Sequence, residues 1–571
     1  MPVHNADIAR VFEEIADLLE LQDANPFRVR AYRNAARTVA NLGVDLAAAV
    51  RAGRPLPKIP GVGEDLAGKI AEIARTGTAT LLERLRRQTP PAATELLRLP
   101  GLGPKRVRAL IEQLGVKSLA ELEQAARAGR VRALAGFGEK TEAAIARAAA
   151  ERLGAAKRFE LAAALQYADA LVEYLRGARG AKQVIAAGSL RRRRETVGDV
   201  DILVAGETEE ALRRFVGYGE VAEVLAQGPT RAAVRLKSGL QVDLRAVPEE
   251  SYGAALAYFT GSKAHNIALR RLAQAKGLKL NEYGVWRGRR RIAGETEESV
   301  YAALGLAWIP PELREDRGEI EAAAAGKLPR LVELSDLRGD LHAHTRWTDG
   351  ANTVAEMAAA ARAAGLEYLA ITDHSRRLAA AHGLDPVRLR KQLAEIEAVR
   401  IDGLALLKGI EVDILEDGSL DLPDAVLAEL DVVVAAVHSA FSLPRARQTE
   451  RILRALENPR VNVLAHPRGR LIGAREGVDA DMLRIVRKAA AAGKILEVNS
   501  QPERLDLDDV ACRMAKDEGA LVAISSDAHG TAQFDFLRFG IGQARRGWLE
   551  AANVANTRPL AELRKLLGRR G

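Results

Sequence analysis

Gly188-Ser189-Leu190-Arg191-Arg192-Arg193-Arg194-Glu195-Thr196-Val197-Gly198-Asp199-Val200-Asp201-Ile202-Leu203 carries the signature from which the front of this chain can be read. The stretch follows a strand-like segment, QVIAA, and its Gly-Ser pair opens a helix. Ten residues after Ser189 the pattern returns to a strand at Asp199. Residues i and i+2 of a strand share a face, so Asp199 and Asp201 can hold one hard cation together. A third acid, Asp243 in Gln241-Val242-Asp243-Leu244-Arg245, can reach the same place from a neighbouring strand. Three carboxylates repel one another unless cations neutralise them. Two Mg²⁺ ions, or Mn²⁺ in their place, would activate an attacking 3′-hydroxyl and stabilise a leaving pyrophosphate. Gly188 and Ser189 would hold phosphates at the helix end, with Arg192 neutralising their charge. The alternation of strands and turns from about residue 180 predicts an α+β core for this chemistry.

Upstream, residues 1–150 read as short helices joined by glycine turns. One pattern occurs three times: Ile59-Pro60-Gly61-Val62-Gly63, Leu99-Pro100-Gly101-Leu102-Gly103 and Leu134-Ala135-Gly136-Phe137-Gly138. An amphipathic helix follows each. Glycine lets such a turn approach a phosphate, and the next helix offers free N–H groups at its positive end. Gly61, Gly63, Gly101 and Gly103, with Lys105 just behind, are therefore expected to contact a nucleic-acid backbone. The third turn lacks the proline and is followed by Glu139, which suits phosphate least. Charge agrees. Residues 331–571 hold 33 Lys and Arg against 35 Asp and Glu, a net −2, so residues 1–330 carry +11 of the total +9. Phosphate backbones reward that distribution through counterion release.

At 571 residues the chain exceeds one hydrophobic core, and three to five domains are expected. One cysteine, Cys512, excludes an intrachain disulfide and a Cys-rich zinc finger; a buried small side chain is its expected role. The N-terminus has no apolar signal core, and no apolar run reaches the ~18 residues that span a bilayer, so a cytoplasmic location is expected.

Seven of the nine histidines lie at or after His342, which points to a metal site in the back half. There short apolar strands alternate with helices, as in YLAIT, LALLKGIEV, VVVAAV, VNVLAH, ILEVN and LVAIS. That alternation predicts a barrel-like or wound α/β domain. His342 and His344 follow one strand-like segment on one face. Asp349, His374, Glu411, His438, His466, Asp527 and His529 follow at successive strand ends, the way barrel-mouth sites are assembled. Histidine and carboxylate without cysteine suit Zn²⁺ or Mn²⁺.

The front half, over roughly residues 1–315, resembles the family X DNA polymerases, the DNA polymerase beta family. The resemblance rests on GSLRRRRETVGDVDIL, QVDLR and Tyr258-Phe259-Thr260-Gly261-Ser262. It implies catalysis by Asp199, Asp201 and Asp243 and triphosphate binding by Ser189 and Arg192. It puts Tyr258, Phe259, Gly261 and Asn266 around the incoming nucleotide and Arg270 near the template. Lys263 departs from the acidic residue of well-known relatives and could contact base or phosphate. Lys69 matches the family's lyase nucleophile, whose Schiff-base chemistry needs an uncharged amine; Asp65 stands where a lysine often stands. The glycine turns resemble helix-hairpin-helix motifs.

The back half, over about 335–571, resembles a polymerase-and-histidinol-phosphatase (PHP) domain, a distorted (β/α)7-like barrel. That family's pattern implies one metal on His342, His344, Glu411 and Asp527. A second falls on Glu411, His438 and His466, and a third on Asp349, His374 and His529. The fusion is the pattern of bacterial family X polymerases. It implies a gap-filling repair enzyme acting on gapped or primer–template DNA with deoxynucleoside triphosphates. With it come 3′→5′ exonuclease action and, as further candidates, cleavage at abasic sites and 3′-phosphate removal. The expected division is an 8-kDa-like helical domain over 1–85, a helix-hairpin-helix fingers/thumb-like domain over 86–175, a palm over 176–250, a nucleotide-selecting subdomain over 251–317, a linker over 318–334 and the PHP domain over 335–571; the whole stretch 312–335 lacks a clear apolar period and reads as a linker or connecting helix. A monomer is expected. Two rival readings remain at this stage. One is a template-independent nucleotidyltransferase joined to a small-molecule phosphatase. The other is a non-catalytic scaffold that binds DNA ends.

Overall fold

The computed structural model describes residues 5–22, 24–40, 46–51, 53, 54, 56, 59, 62–89, 93–97, 99, 102–154 and 158–568. Two compact units emerge. One comprises Met1–Phe159, Gly217–Glu223 and Val234–Gln241; the other Glu160–Val216, Val224–Ala233 and Val242–Gly571.

The first unit is built on helices, and the repeated glycine pattern has a repeated structural cause. In each turn the second apolar residue donates its N–H to the first apolar residue's carbonyl: Val62 to Ile59, Leu102 to Leu99 and Phe137 to Leu134, each at 3.1 Å. The glycine after it caps the next helix, Glu64–Thr76, Pro104–Leu114 or Glu139–Gly154. Leu99, Leu102, Val107, Leu110, Phe137 and Ile145 share one core. The apolar letters of the motif are thus packing residues, which fix the turn from beneath. Gly61 and Gly101 lie outside the described residues.

A five-stranded sheet, whose first two strands lie wholly in the second unit, runs in the order Ala181–Ala186, Asp199–Gly206, Gln241–Val247, Arg231–Leu236, Val221–Gln227. The first two strands pair antiparallel, with Ala186 opposite Ile202. Asp199–Gly206 therefore lies between the edge strand and the strand that bears Asp243. Beyond the sheet come helices Tyr252–Thr260 and Lys263–Ala275 and a three-stranded antiparallel sheet over 279–293.

The stretch from 312 to 335, expected as a linker or connecting helix, is packed. It contains the short helix Glu319–Ala324. Arg314, Glu319 and Val332 are fully buried. Its polar composition hid this, because the buried charges are matched: Arg314 against Glu297, and Glu319 against His265.

From 339 onward seven parallel strands pair in chain order. A parallel bridge of Ala343 with Ala528, carrying a 2.8 Å bond from His344 N–H to the Ala528 carbonyl, joins the last strand's end to the first. Alternate residues serve two cores. Tyr368, Ala370, Val432, Val434 and Ile495 belong to one; Leu369, Ile371, Val433, Ala435 and Leu496 pack with the surrounding helices in the other. Burial on both faces explains why these strands read as unbroken apolar runs. Cys512 is buried, as expected of a packing residue.

Candidate active sites

The sheet of the second unit brings the acids of the opening motif together. Along Asp199–Gly206 the acids alternate with buried Val200 and Ile202. Burial, then the charges of Asp199 and Asp243, push Asp201 up to about 7. Three carboxylates that perturb one another this way need cations to stay ionised together. Gly188 sits hard against them. It has φ +62°, and a Cβ there would fall 2.1 Å from Asp201 Oδ2. No other residue fits that approach. Ala187 N–H bonds the Asp201 carbonyl at 2.8 Å, which sets the start of helix Gly188–Arg191 beside the acids. Ser189 is half-buried in that turn.

The nucleotide-pocket residues gather around the helix junction at 258–270. Tyr258 and Phe259 meet edge to face at 5.2 Å. Arg270 stands over the Tyr258 ring at 5.8 Å, and Arg245, two residues after Asp243, over Phe259 at 5.3 Å. Asn266 Nδ2 donates to the Tyr258 carbonyl at 2.6 Å. Arg192 bonds the Thr260 carbonyl and lies 3.1 Å from where a Gly261 Cβ would be. Lys263, exposed, opens helix Lys263–Ala275. Lys69, in the first unit, is ion-paired to Asp65 one helical turn earlier. Lys105 lies on helix Pro104–Leu114.

The arginine run behaves differently from a phosphate patch. Arg191 binds Glu297 through both terminal nitrogens, at 2.8 and 2.9 Å, and Arg314 takes the same carboxylate at 2.6 and 3.1 Å. Arg192 Nε donates to Glu315 at 3.1 Å. Glu195 receives Arg470 of the barrel at 2.6 Å. Much of this charge is spent on fixing the turn.

At the barrel mouth all nine expected ligands converge. His374 Nδ1 is 2.7 Å from Glu411 Oε2; His466 Nε2 and His438 Nε2 are 2.9 and 3.1 Å from Glu411 Oε1. His344 Nε2 lies 3.0 Å from Asp527 Oδ1, and His342 Nε2 3.5 Å from it. His374 and His529 face Asp349 at 3.4 and 3.6 Å. Three groups could hold a divalent ion: His342, His344 and Asp527; His374, Glu411 and His438; and His344, Asp349, His374 and His529. Burial, then His529 and His374, push His344 down to about 3, leaving the neutral ring that a metal takes. Buried atoms without a hydrogen-bond partner point inward: His342 Nε2, both nitrogens of His344, and Glu411 Oε2. Such atoms are costly unless an ion occupies them.

Comparisons with known proteins follow this division. Residues 3–79 match the helix-hairpin-helix domain and 93–151 the SAM-like helix-hairpin-helix tandem. Residues 255–315 match the DNA polymerase beta thumb, and 340–501 the PHP domain. The chain is 38% identical over 577 aligned residues to the DNA polymerase/3′-5′ exonuclease PolX of Bacillus subtilis, covering 99% of this chain and 100% of that protein. The chain belongs to the PolX family. The chain is also 32% identical over 211 residues to a probable phosphatase of Thermoanaerobacter sp., covering 35% of this chain and 81% of that protein. A probable phosphatase of Acetivibrio thermocellus matches at 32% over 209 residues, 35% and 82%.

The PolX site has supports that the sequence reading missed. Glu497 accepts from His342 Nδ1 at 2.7 Å and from His466 N–H at 2.7 Å. Asp413 takes His438 Nδ1 at 2.7 Å. Asn499 donates to Asp527 Oδ2 at 2.9 Å. Such partners orient metal-binding imidazoles and set which nitrogen faces the ion. Their signal was present: Glu411 and Asp413, and Glu497 and Asn499, are polar i, i+2 pairs in otherwise apolar strands.

Proposed function

We propose that this PolX-family chain fills short gaps in DNA by template-directed nucleotide addition and cleans 3′ ends with a 3′→5′ exonuclease in its barrel. The observation that carries the reading is the presence in one chain of two complete, separate ligand sets, one of three carboxylates and one of nine mixed ligands.

Asp199, Asp201 and Asp243 would hold Mg²⁺ or Mn²⁺. The elevation of Asp201 by burial and by the two neighbouring carboxylates supports that fit. The nine barrel ligands would hold up to three Zn²⁺ or Mn²⁺, a fit supported by the partnerless buried nitrogens. When bound, such cations make a hydroxyl or water a better nucleophile and stabilise in-line displacement at phosphorus. The chain's own groups do the rest. Gly188 and Ser189 present backbone N–H groups to the triphosphate, and Arg192 meets its charge. Tyr258, Phe259, Gly261 and Asn266 enclose the sugar and base, Lys263 reaches base or phosphate, and Arg270 faces the template. Glu411, whose oxygens face His374, His438 and His466 most closely, would serve as a ligand common to neighbouring cations. The hairpins hold the DNA backbone through Gly61, Gly63, Gly101, Gly103 and Lys105. Gly63 and Gly103 have negative φ of −75° and −83°, and a Cβ at either would meet nothing within 4 Å among the described residues. Neither the conformation nor packing among the described residues requires glycine there, which supports an external group that approaches closely.

A labelled one-nucleotide-gapped duplex, incubated with Mg²⁺ or Mn²⁺, tests the reading. Extension with nucleotides and shortening without them is the expected result; neither reaction would overturn it. Similarity to probable phosphatases favours a second reaction in the barrel, removal of a 3′-phosphate, read by release of inorganic phosphate from a 3′-phosphorylated strand. Lyase action by Lys69 requires its amine to leave Asp65, and borohydride trapping on an abasic strand tests it. DNA as substrate supports work in the cytoplasm; a monomer is proposed. Among the described residues no helix is long and apolar enough to cross a membrane.

A further inference from the structure

The barrel reaches into the polymerase half at one buried arginine. Arg546 ends helix Leu537–Arg546 and is 2% exposed. Its Nη1 donates to the carbonyl of Arg192 at 2.8 Å and to Glu315 Oε1 at 3.0 Å; its Nη2 donates to Asp509 at 2.6 Å. Glu315 Oε1 is the same oxygen that accepts from Arg192 Nε. Arg317 adds a 3.0 Å bond to Asp509. One turn earlier on the same helix, Gly542 lies against Arg193: a Cβ there would sit 3.4 Å from the arginine's own. The turn that begins beside the catalytic acids is therefore fixed from the barrel side.

The charges do not balance locally. Arg192, Arg317 and Arg546 share Glu315 and Asp509, and Arg194 lies close enough to act on Arg192 and Asp509, so positive charge is left over. Because Arg546 occupies part of Glu315, Arg192 is held in place without being fully neutralised. We propose that Arg546 of the barrel is a positioning residue for nucleotide addition, holding the Gly188–Arg192 turn and leaving Arg192 free to take an incoming triphosphate. Losing Arg546 would leave two arginines on two carboxylates and draw Arg192 wholly onto Glu315. The inference rests on the reading of Arg192 as a triphosphate ligand.

The test uses the full chain and single-nucleotide addition on a one-nucleotide gap, with kcat and KM for the nucleotide measured separately. Arg546→Met should raise KM by about tenfold and change kcat by less than about threefold. Its 3′→5′ digestion should match wild type, since Arg546 touches no barrel ligand. Arg192→Ala should raise KM at least as much. The double variant Arg546→Met with Glu315→Gln should recover most of the lost affinity, because Arg192 and Arg317 then face Asp509 alone and the extra charge returns. A merely structural contact would make the double variant worse than the single. A normal KM in Arg546→Met with a raised KM in Arg192→Ala overturns the role of Arg546 alone; normal KM in both overturns the reading of Arg192 beneath it. If Arg546→Met does not fold, Asp509→Asn decides: one fewer carboxylate should lower KM by about threefold, and an unchanged or raised KM there overturns the proposal.

Discussion

Asp201 shows how one residue reports a site. Its elevation to about 7 has burial as the largest cause and two neighbouring carboxylates as the next. Removing any one of the three acids removes a cation ligand that nothing nearby replaces. Asp243→Ala should therefore lower primer extension by at least roughly 10³-fold while leaving 3′→5′ digestion intact. Extension at near wild-type rate would refute the role of Asp243. Glu411 is the matching test in the barrel. Both of its oxygens face imidazoles, so Glu411→Gln should lower metal content at more than one position and slow digestion by roughly 10³-fold, with extension preserved. Elemental analysis beside digestion of a labelled strand checks it, and full metal content with undiminished digestion would sink the assignment. Most of the residues that converge at the two sites were legible in the sequence as charged or imidazole side chains beside apolar strands. Glu497 and Asp413 were visible as polar residues in their strands, but their role depends on which strand end lies beside which. Arg192 was legible as a cation but not as a partner of Glu315, 123 residues away in the chain.

At the scale of elements, the hairpins and the arginine turn make opposite points. The hairpin pattern was readable because it is local: two apolar residues that close a turn, one glycine between them and one directly after. Replacing Gly63 and Gly103 together by alanine should change stability by less than about 1 kcal/mol, since losing a glycine cap offsets the gain from a stiffer unfolded chain. Duplex binding should weaken by about tenfold, ~1.4 kcal/mol. Unchanged binding with unchanged melting would remove the hairpins from the DNA interface. The arginine turn was misweighted because its partners are distant in sequence. Glu297 is the first residue of helix Glu297–Ala303, which Thr296 caps, and takes both Arg191 and Arg314. Burial alone would raise its carboxyl, but bonds from Arg191 and the charge of Arg314 outweigh burial and lower it to about 2. A carboxyl held at about 2 rather than its ordinary 4.5 favours the folded state above pH 4.5 by on the order of 3 kcal/mol, and loses that contribution as pH falls through 2. Glu297→Gln should thus melt lower at pH 7 and converge toward wild type below about pH 2. An equal gap at pH 7 and at pH 2 would mean that the charge is not what the site uses. The stretch 312–335 belongs to the same lesson: matched buried charges read as a polar linker until their partners are known.

Across the whole molecule the net charge is divided, with +11 before residue 331 and −2 after it. The back half's surface cations are also met locally by carboxylates. Arg390 pairs with Glu429 and Arg487 with Glu518, all at 2.8–2.9 Å at their closest; Lys488 pairs with Glu457 and Arg484 with Glu450 at 2.8 and 2.9 Å. Cations already matched in this way release few counterions when DNA arrives. The front also holds ion pairs, such as Arg33 with Asp17 and Arg86 with Glu14, but its net excess of cations releases more counterions, so affinity should fall steeply with salt, by a log–log slope of roughly −0.9 for each duplex phosphate neutralised. Arg28 and Arg30 are exposed on helix Pro26–Ala40 of the first unit, where they carry part of the excess. Replacing both by glutamine in the full chain should make the slope shallower by up to about 1.8 and weaken binding to every duplex alike, since phosphate contacts carry no base preference. The same change at Arg390 and Arg487, equally charged and exposed, should leave the slope within error. Titrations of a fixed gapped duplex at several salt concentrations distinguish the two pairs. A larger change from the back pair would mean that DNA is held chiefly by the barrel, and that the basic excess of the front serves something other than the nucleic-acid backbone.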